Sequence, residues 1–188
     1  MTKQERTERE RVCAMLQAFG VEASLAPRGR REERCQDYSL IPLDDSEGLI
    51  DIQASVIRWV NVWGHPPGDG GTVLDYGVPD VRPLPRLEDY LSSVRVKNFP
   101  ILGRVIDVRW KGDDHGTGIV NSLTADDAIK KAIMCIGGYG HDPYVWSCPE
   151  HGCWLMREPI YDITTEKWDC FEKIAARLLA TPLKERRT

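Results

Sequence analysis

Apolar residues recur along this chain in two periods, one suited to helices and one to strands. Val12, Met15, Leu16 and Phe19 follow helical spacing behind a charged first half, and Gly20 can end a helix in the left-handed conformation, which predicts a helix over 3–19. Val21 to Ala26 reads as a short strand stopped by Pro27 and Gly29. Tyr38 to Leu43 reads as a second strand. Leu49 to Trp63 reads as one long strand, because Val56, Arg58, Val60 and Val62 alternate with Ile57, Trp59, Asn61 and Trp63.

Prolines and glycines break the middle of the chain. Residues 64–71 hold two prolines and four glycines, which can extend neither a helix nor a ladder, so a long surface loop is expected there, and 64–72 is the best internal boundary. A proline-spaced stretch, Val78 to Pro85, leads to a predicted short helix over 86–94 with Pro85 at its start. In 101–111, Ile106, Val108 and Trp110 alternate with Asp107, Arg109 and Lys111, the mark of a strand with one apolar and one charged face. Thr124 is the expected cap of a helix that carries Asp126 and Asp127 in its first turn, buries Ile129, Ile133 and Ile136, and stops at Gly137 and Gly138. Tyr144–Ser147 and Trp154–Arg157 flank a tight loop as a hairpin would, and Trp168, Phe171, Ala175 and Leu178 form one stripe of a final helix over 166–180.

Strands and helices alternate without a regular βαβ rhythm, and neighbouring strands read as hairpins. The expected fold is therefore a single α+β domain of 188 residues, with a mainly antiparallel sheet and helices packed on one face. With 41% hydrophobic and 29% charged residues, the chain has the composition of a packed core rather than of a disordered segment.

A net charge of −4 and an isoelectric point near 5.6 argue against a general binder of nucleic acid or anionic membranes, since those partners reward excess Lys and Arg. The local exception is Arg28, Arg30, Arg31 and Arg34, of which Arg30 and Arg31 are candidate contacts. Residues 1–11 are charged throughout, and no apolar run approaches the roughly 18 residues of a membrane span, so neither a signal peptide nor a membrane helix is expected and the chain reads as cytoplasmic. Six scattered cysteines then read as reduced thiols. Six tryptophans read mainly as core, and Trp63, beside the proline-rich loop, is the one expected to touch a partner.

No phosphate loop, nucleophile elbow, paired zinc knuckle or HExxH helix is present in the sequence. Cys148, His151 and Cys153 form the tightest run of potential zinc ligands, with Cys135 and His141 upstream. The run lacks a second separated ligand pair, so buried thiols with an exposed histidine are the expected state, ahead of a zinc site or a disulfide from Cys148 to Cys153. Cys135 is expected to point into the core. Asp113, Asp114 and His115 lie in a glycine-flanked loop where carboxylates beside an imidazole could hold Mg²⁺ or Ca²⁺ or act as acid and base, and a solvated turn is the expected state. No cofactor is expected, with zinc and magnesium as the alternatives.

The succession of a first helix, a strand, Asp37 opening a second strand and Ile50-Asp51-Ile52-Gln53 in a third resembles the core of the PD-(D/E)XK nuclease superfamily over about the first third of the chain. The resemblance implies that Asp37 and Asp51 would bind Mg²⁺. It also places a neutral side chain, Gln53, where the family has the lysine that activates water and stabilises the attacked phosphate. Together these features point to a non-enzymatic binding or regulatory protein acting through protein–protein contacts. The alternative is a metal-dependent, nuclease-like enzyme acting on phosphodiesters.

Overall fold

The computed structural model describes residues 6–27, 48–64, 72–87, 89–97, 105–136, 142–160 and 163–183. Its first helix, α1 (Glu8–Ala18), starts where sequence chemistry provides a capping box: Thr7 Oγ1 accepts from the Glu10 N–H and Glu10 Oε2 accepts from the Thr7 N–H. Gly20, at φ +83°, takes the left-handed turn after it. There follow β1 (Ala23–Leu25), β2 (Gly48–Ile52), β3 (Trp59–Gly64), β4 (Thr72–Pro79), β5 (Leu91–Lys97), β6 (Val105–Lys111), α2 (Ile119–Ala125), α3 (Asp127–Cys135), β7 (Tyr144–Cys148), β8 (Cys153–Ile160) and α4 (Thr165–Ala180).

The eight strands form one sheet in the order β1-β2-β3-β4-β8-β7-β5-β6, and every pairing among them is antiparallel. Because successive strand residues face opposite sides, the sheet has two unlike faces. Ile50, Ile52, Val60, Val62, Leu74, Tyr76, Val145 and Met156 join one large cluster with the buried residues of all four helices, so the helices cover a single face as expected. Phe171, wholly buried in α4, stacks on Tyr76 of β4 with ring centroids 4.3 Å apart. The opposite, helix-free face carries a smaller cluster of Ala26, Leu49, Trp59, Cys148, Cys153 and Leu155. There the Trp59 indole lies flat across Gly77, where a Cβ would sit 1.9 Å from the ring, so only glycine fits opposite it.

Four local expectations are corrected. Residues 49–63 are not one strand: the chain turns at Gln53–Arg58, with Ala54 at φ +55° and Ser55 Oγ accepting from the Ile57 N–H, and β2 and β3 pair as a hairpin. The alternation at Val56–Arg58 belongs to that turn. No helix fills 86–94: the described part of this stretch runs irregularly into β5, whose Leu91 and Ser93 face inward at strand period while Ser147 Oγ donates to the Pro85 carbonyl. Asp126, not Thr124, caps α3, accepting from the Ala128 and Ile129 N–H groups, because Thr124 lies inside α2 and accepts from the Trp110 N–H. Cys135 is exposed at the last position of α3 rather than buried in the core.

Side chains fasten the elements together. Asp80, just past β4, is a buried carboxylate that accepts from Arg82 Nε and Nη2 and from the Trp154 indole N–H at 3.0 Å. The same Arg82 guanidinium donates to the Leu178 and Thr181 carbonyls at 2.8 and 2.5 Å, placing a cation on the orphan C-terminal carbonyls of α4. Arg177 of α4 pairs with the α3 cap Asp126. At the sheet edges, the outward Val108 N–H of β6 donates to its own neighbour Asp107 Oδ1, the outward Trp110 N–H to Thr124 Oγ1, and Gln17 Nε2 of α1 donates to the Ala23 carbonyl of β1.

Candidate functional site

Helix α4 starts at Thr164, whose Oγ1 accepts from the Lys167 N–H, and the spacing of its residues sets two stripes side by side. One stripe, Phe171, Ala175 and Leu178, is core. The other, Thr165, Trp168, Asp169 and Glu172, falls at i, i+3, i+4 and i+7 and borders an opening beside the end of α1. The β2–β3 turn closes the far side of that opening: the Gln53 N–H donates to the Glu22 carbonyl at 2.8 Å, and Ser55 Oγ donates to Glu172 Oε1 at 2.7 Å.

The result is a cavity of about 310 Å³ lined by Phe19, Gly20, Val21, Glu22, Gln53, Ala54, Ser55, Thr165, Trp168, Asp169 and Glu172. Among the described residues, its lining holds three carboxylates, an amide, two hydroxyls and two aromatic rings, and no Lys or Arg. The start of α4 contributes the opposite sign, roughly half a positive charge. Against three full negative charges it loses, so the cavity attracts cations. Its volume lies near the lower bound of small-ligand sites, about 300 Å³, which matches a single side chain better than a nucleotide.

The structure does not gather the sequence candidates into this site. Gln53 alone lines it. Asp51 is half-buried in β2, opposite Ser24 and Trp59, with the parity of Leu49 that sets it on the helix-free face, whereas the chain bends at Ala54 and carries Gln53 to the cavity on the helix side. Asp37, Arg30 and Arg31 lie outside the described residues, as does His141; Trp63 is the last residue but one of β3, and its side chain lies outside them too.

Cys148 and Cys153 face each other at the end of the β7–β8 hairpin, and His151 stands exposed in the turn between them. Cys148 is disulfide-bonded, and not to Cys153, so it is no thiolate ligand and departs from the reduced state expected of it. Asp113 and Asp114 are spent on the loop itself: Asp113 Oδ1 accepts from the His115 N–H, and Asp114 accepts from the Gly116 and Val120 N–H groups. His115, at φ +51°, rests with Nδ1 3.5 Å from Asp113. Among the described residues no group of three or more His, Cys, Asp or Glu side chains converges as a metal set. No described helix is long and apolar enough to cross a membrane.

Sequence reasoning missed the cavity because its members are dispersed over α1, the β2–β3 turn and α4, and none forms a motif. The one available signal was the polar stripe Thr165, Asp169 and Glu172 running beside the apolar one. No protein-family model, curated protein or solved structure matches the chain.

Proposed function

We propose that the chain is a non-enzymatic binding or regulatory protein acting through protein contacts, and that the cavity beside α4 receives a basic side chain of its partner. The observation that carries this reading is the lining itself, three carboxylates and, among the described residues, no cation around a volume of one side chain. Phe19 and Trp168 offer apolar wall to the methylene stem of an arginine or lysine, while Glu22, Asp169 and Glu172 meet its charged head. Gln53 and Thr165 add neutral acceptors.

Calorimetric titration with a blocked tetra-arginine peptide tests the reading. Wild type should bind it in low salt. The double variant Asp169→Asn with Glu172→Gln, which keeps shape and the acceptor for Ser55, should bind at least about tenfold more weakly, a loss of about 1.4 kcal/mol. Equal affinity of the two proteins would remove the cavity from recognition. Incubation with plasmid and Mg²⁺ or Mn²⁺ addresses the phosphodiesterase alternative: cleavage by wild type that disappears in Asp51→Ala would replace the binding reading with an enzymatic one.

A further inference from the structure

We propose that the helix-free face of the sheet over β8, β7, β5 and β6 is a second binding surface, and that its ligand is single-stranded nucleic acid. Three aromatic rings are placed there. Tyr144 and Trp146 stand half-buried on β7, and Tyr90, 55% exposed, meets Tyr144 edge to face at 4.9 Å. The Arg157 guanidinium lies 4.9 Å over the Trp146 ring, held flat by bonds of 2.6 and 2.8 Å to the two oxygens of Asp75. Such rings and planes are the surfaces on which unpaired bases stack without regard to sequence.

Register turns these groups into a track. Arg157 is opposite Tyr144, Tyr144 opposite Ser92 and Ser92 opposite Lys111, so the row crosses three strand spacings, roughly 14 Å, from one cation to the other. Arg109, with its side chain 64% exposed, follows Lys111 on the same face of β6. The two carboxylates that border this row on the strands are both paired. Asp75 is buried and bound to Arg157, and Asp107 is engaged by Lys130 at 3.1 Å and Arg109 at 3.4 Å. With each pair counted once, Arg157, Arg109, Lys111 and Lys130 exceed Asp75 and Asp107 by two positive charges, on a chain whose net charge is −4, and the acidic cavity lies against the helices on the other side.

A duplex hides its bases and would meet only Arg109 and Lys111 against the overall negative charge, so the unpaired strand is the favoured form. The experiment is fluorescence anisotropy with a labelled oligothymidylate of about 12 nucleotides, its duplex and an oligoglutamate competitor, from low salt to about 0.2 M. Wild type should bind the single strand, prefer it to the duplex and ignore oligoglutamate. Tyr90→Ala, with a thermal melt to check that it is folded, should weaken binding about tenfold. Arg109→Ala with Lys111→Ala should lower the slope of log affinity against log salt by roughly 1.4, two phosphates at about 0.7 each. Affinity unchanged in Tyr90→Ala, equal affinity for duplex, displacement by oligoglutamate, or no binding at low salt would each overturn the proposal. The Asp169→Asn, Glu172→Gln protein should bind the strand like wild type, which keeps this test separate from that of the cavity.

Discussion

Replacing Asp80 by alanine removes the carboxylate on which Arg82 and Trp154 both depend. The pair is asymmetric: the Asp80 side chain is 2% exposed and that of Arg82 29%. Breaking a buried ion pair by deleting one member costs about 3–5 kcal/mol, and an orphaned buried donor, here the Trp154 N–H, about 1–3 kcal/mol. These figures overlap, since both count desolvation around one carboxylate, and Arg82 keeps its carbonyl acceptors on α4 and some water. We expect a loss of about 4 kcal/mol, which in a domain of this size lowers Tm by about 8–16 °C. Asp80→Asn keeps the shape and one acceptor, and should lose about half as much. The assay is urea and thermal unfolding at several pH values. Burial alone would raise the pKa of Asp80, but the Arg82 side-chain and backbone N–H groups and the Trp154 N–H outweigh it and hold the carboxyl below its ordinary range. A group depressed in the folded state stabilises above its unfolded value of about 3.9 and loses that contribution as pH falls through its folded value. The gap between wild type and Asp80→Asn should therefore be level near neutrality and shrink below about pH 4. An Asp80→Ala protein within 1 kcal/mol of wild type, or a gap that widens in acid, would refute this account of the clamp.

Phe171→Ala should destabilise by about 3–5 kcal/mol, since it opens a cavity under Tyr76 in the helix-covered face, and an unchanged melt would place α4 outside the core. Treatment with EDTA should leave Tm unchanged, because Cys148 is disulfide-bonded and His151 stands exposed in the hairpin turn; stoichiometric zinc lost together with stability would contradict this.

Elements with a strong local signal were legible from sequence. The stripe of α4, the stop of α1 at Gly20, the β7–β8 hairpin and the antiparallel sheet with helices on one face follow from periodicity and turn chemistry, and the structure has them. The misreadings arose where a tertiary contact overrode a local rule. Val56 to Arg58 alternate as a strand would, yet Ser55 bonds Glu172, 117 positions away, and the turn forms there instead. Pro85 announces a helix, but its carbonyl is bonded by Ser147 and the stretch after it is drawn into the sheet. The cavity was illegible for a related reason: Glu22, Gln53 and Glu172 are ordinary solvated residues until the fold brings them to one opening.

The bonds on the outer strands also bear on what the protein does at high concentration. An edge strand whose donors point into water is a template on which another chain can add, copy by copy. The outward N–H groups of Val108 and Trp110 are already occupied by Asp107 and Thr124, and at the other edge β1 is three residues long with its Ala23 carbonyl taken by Gln17. A newcomer would have to displace these side chains before gaining a ladder bond. Strand-by-strand growth from these two edges thus begins with the loss of side-chain bonds that the folded chain already makes.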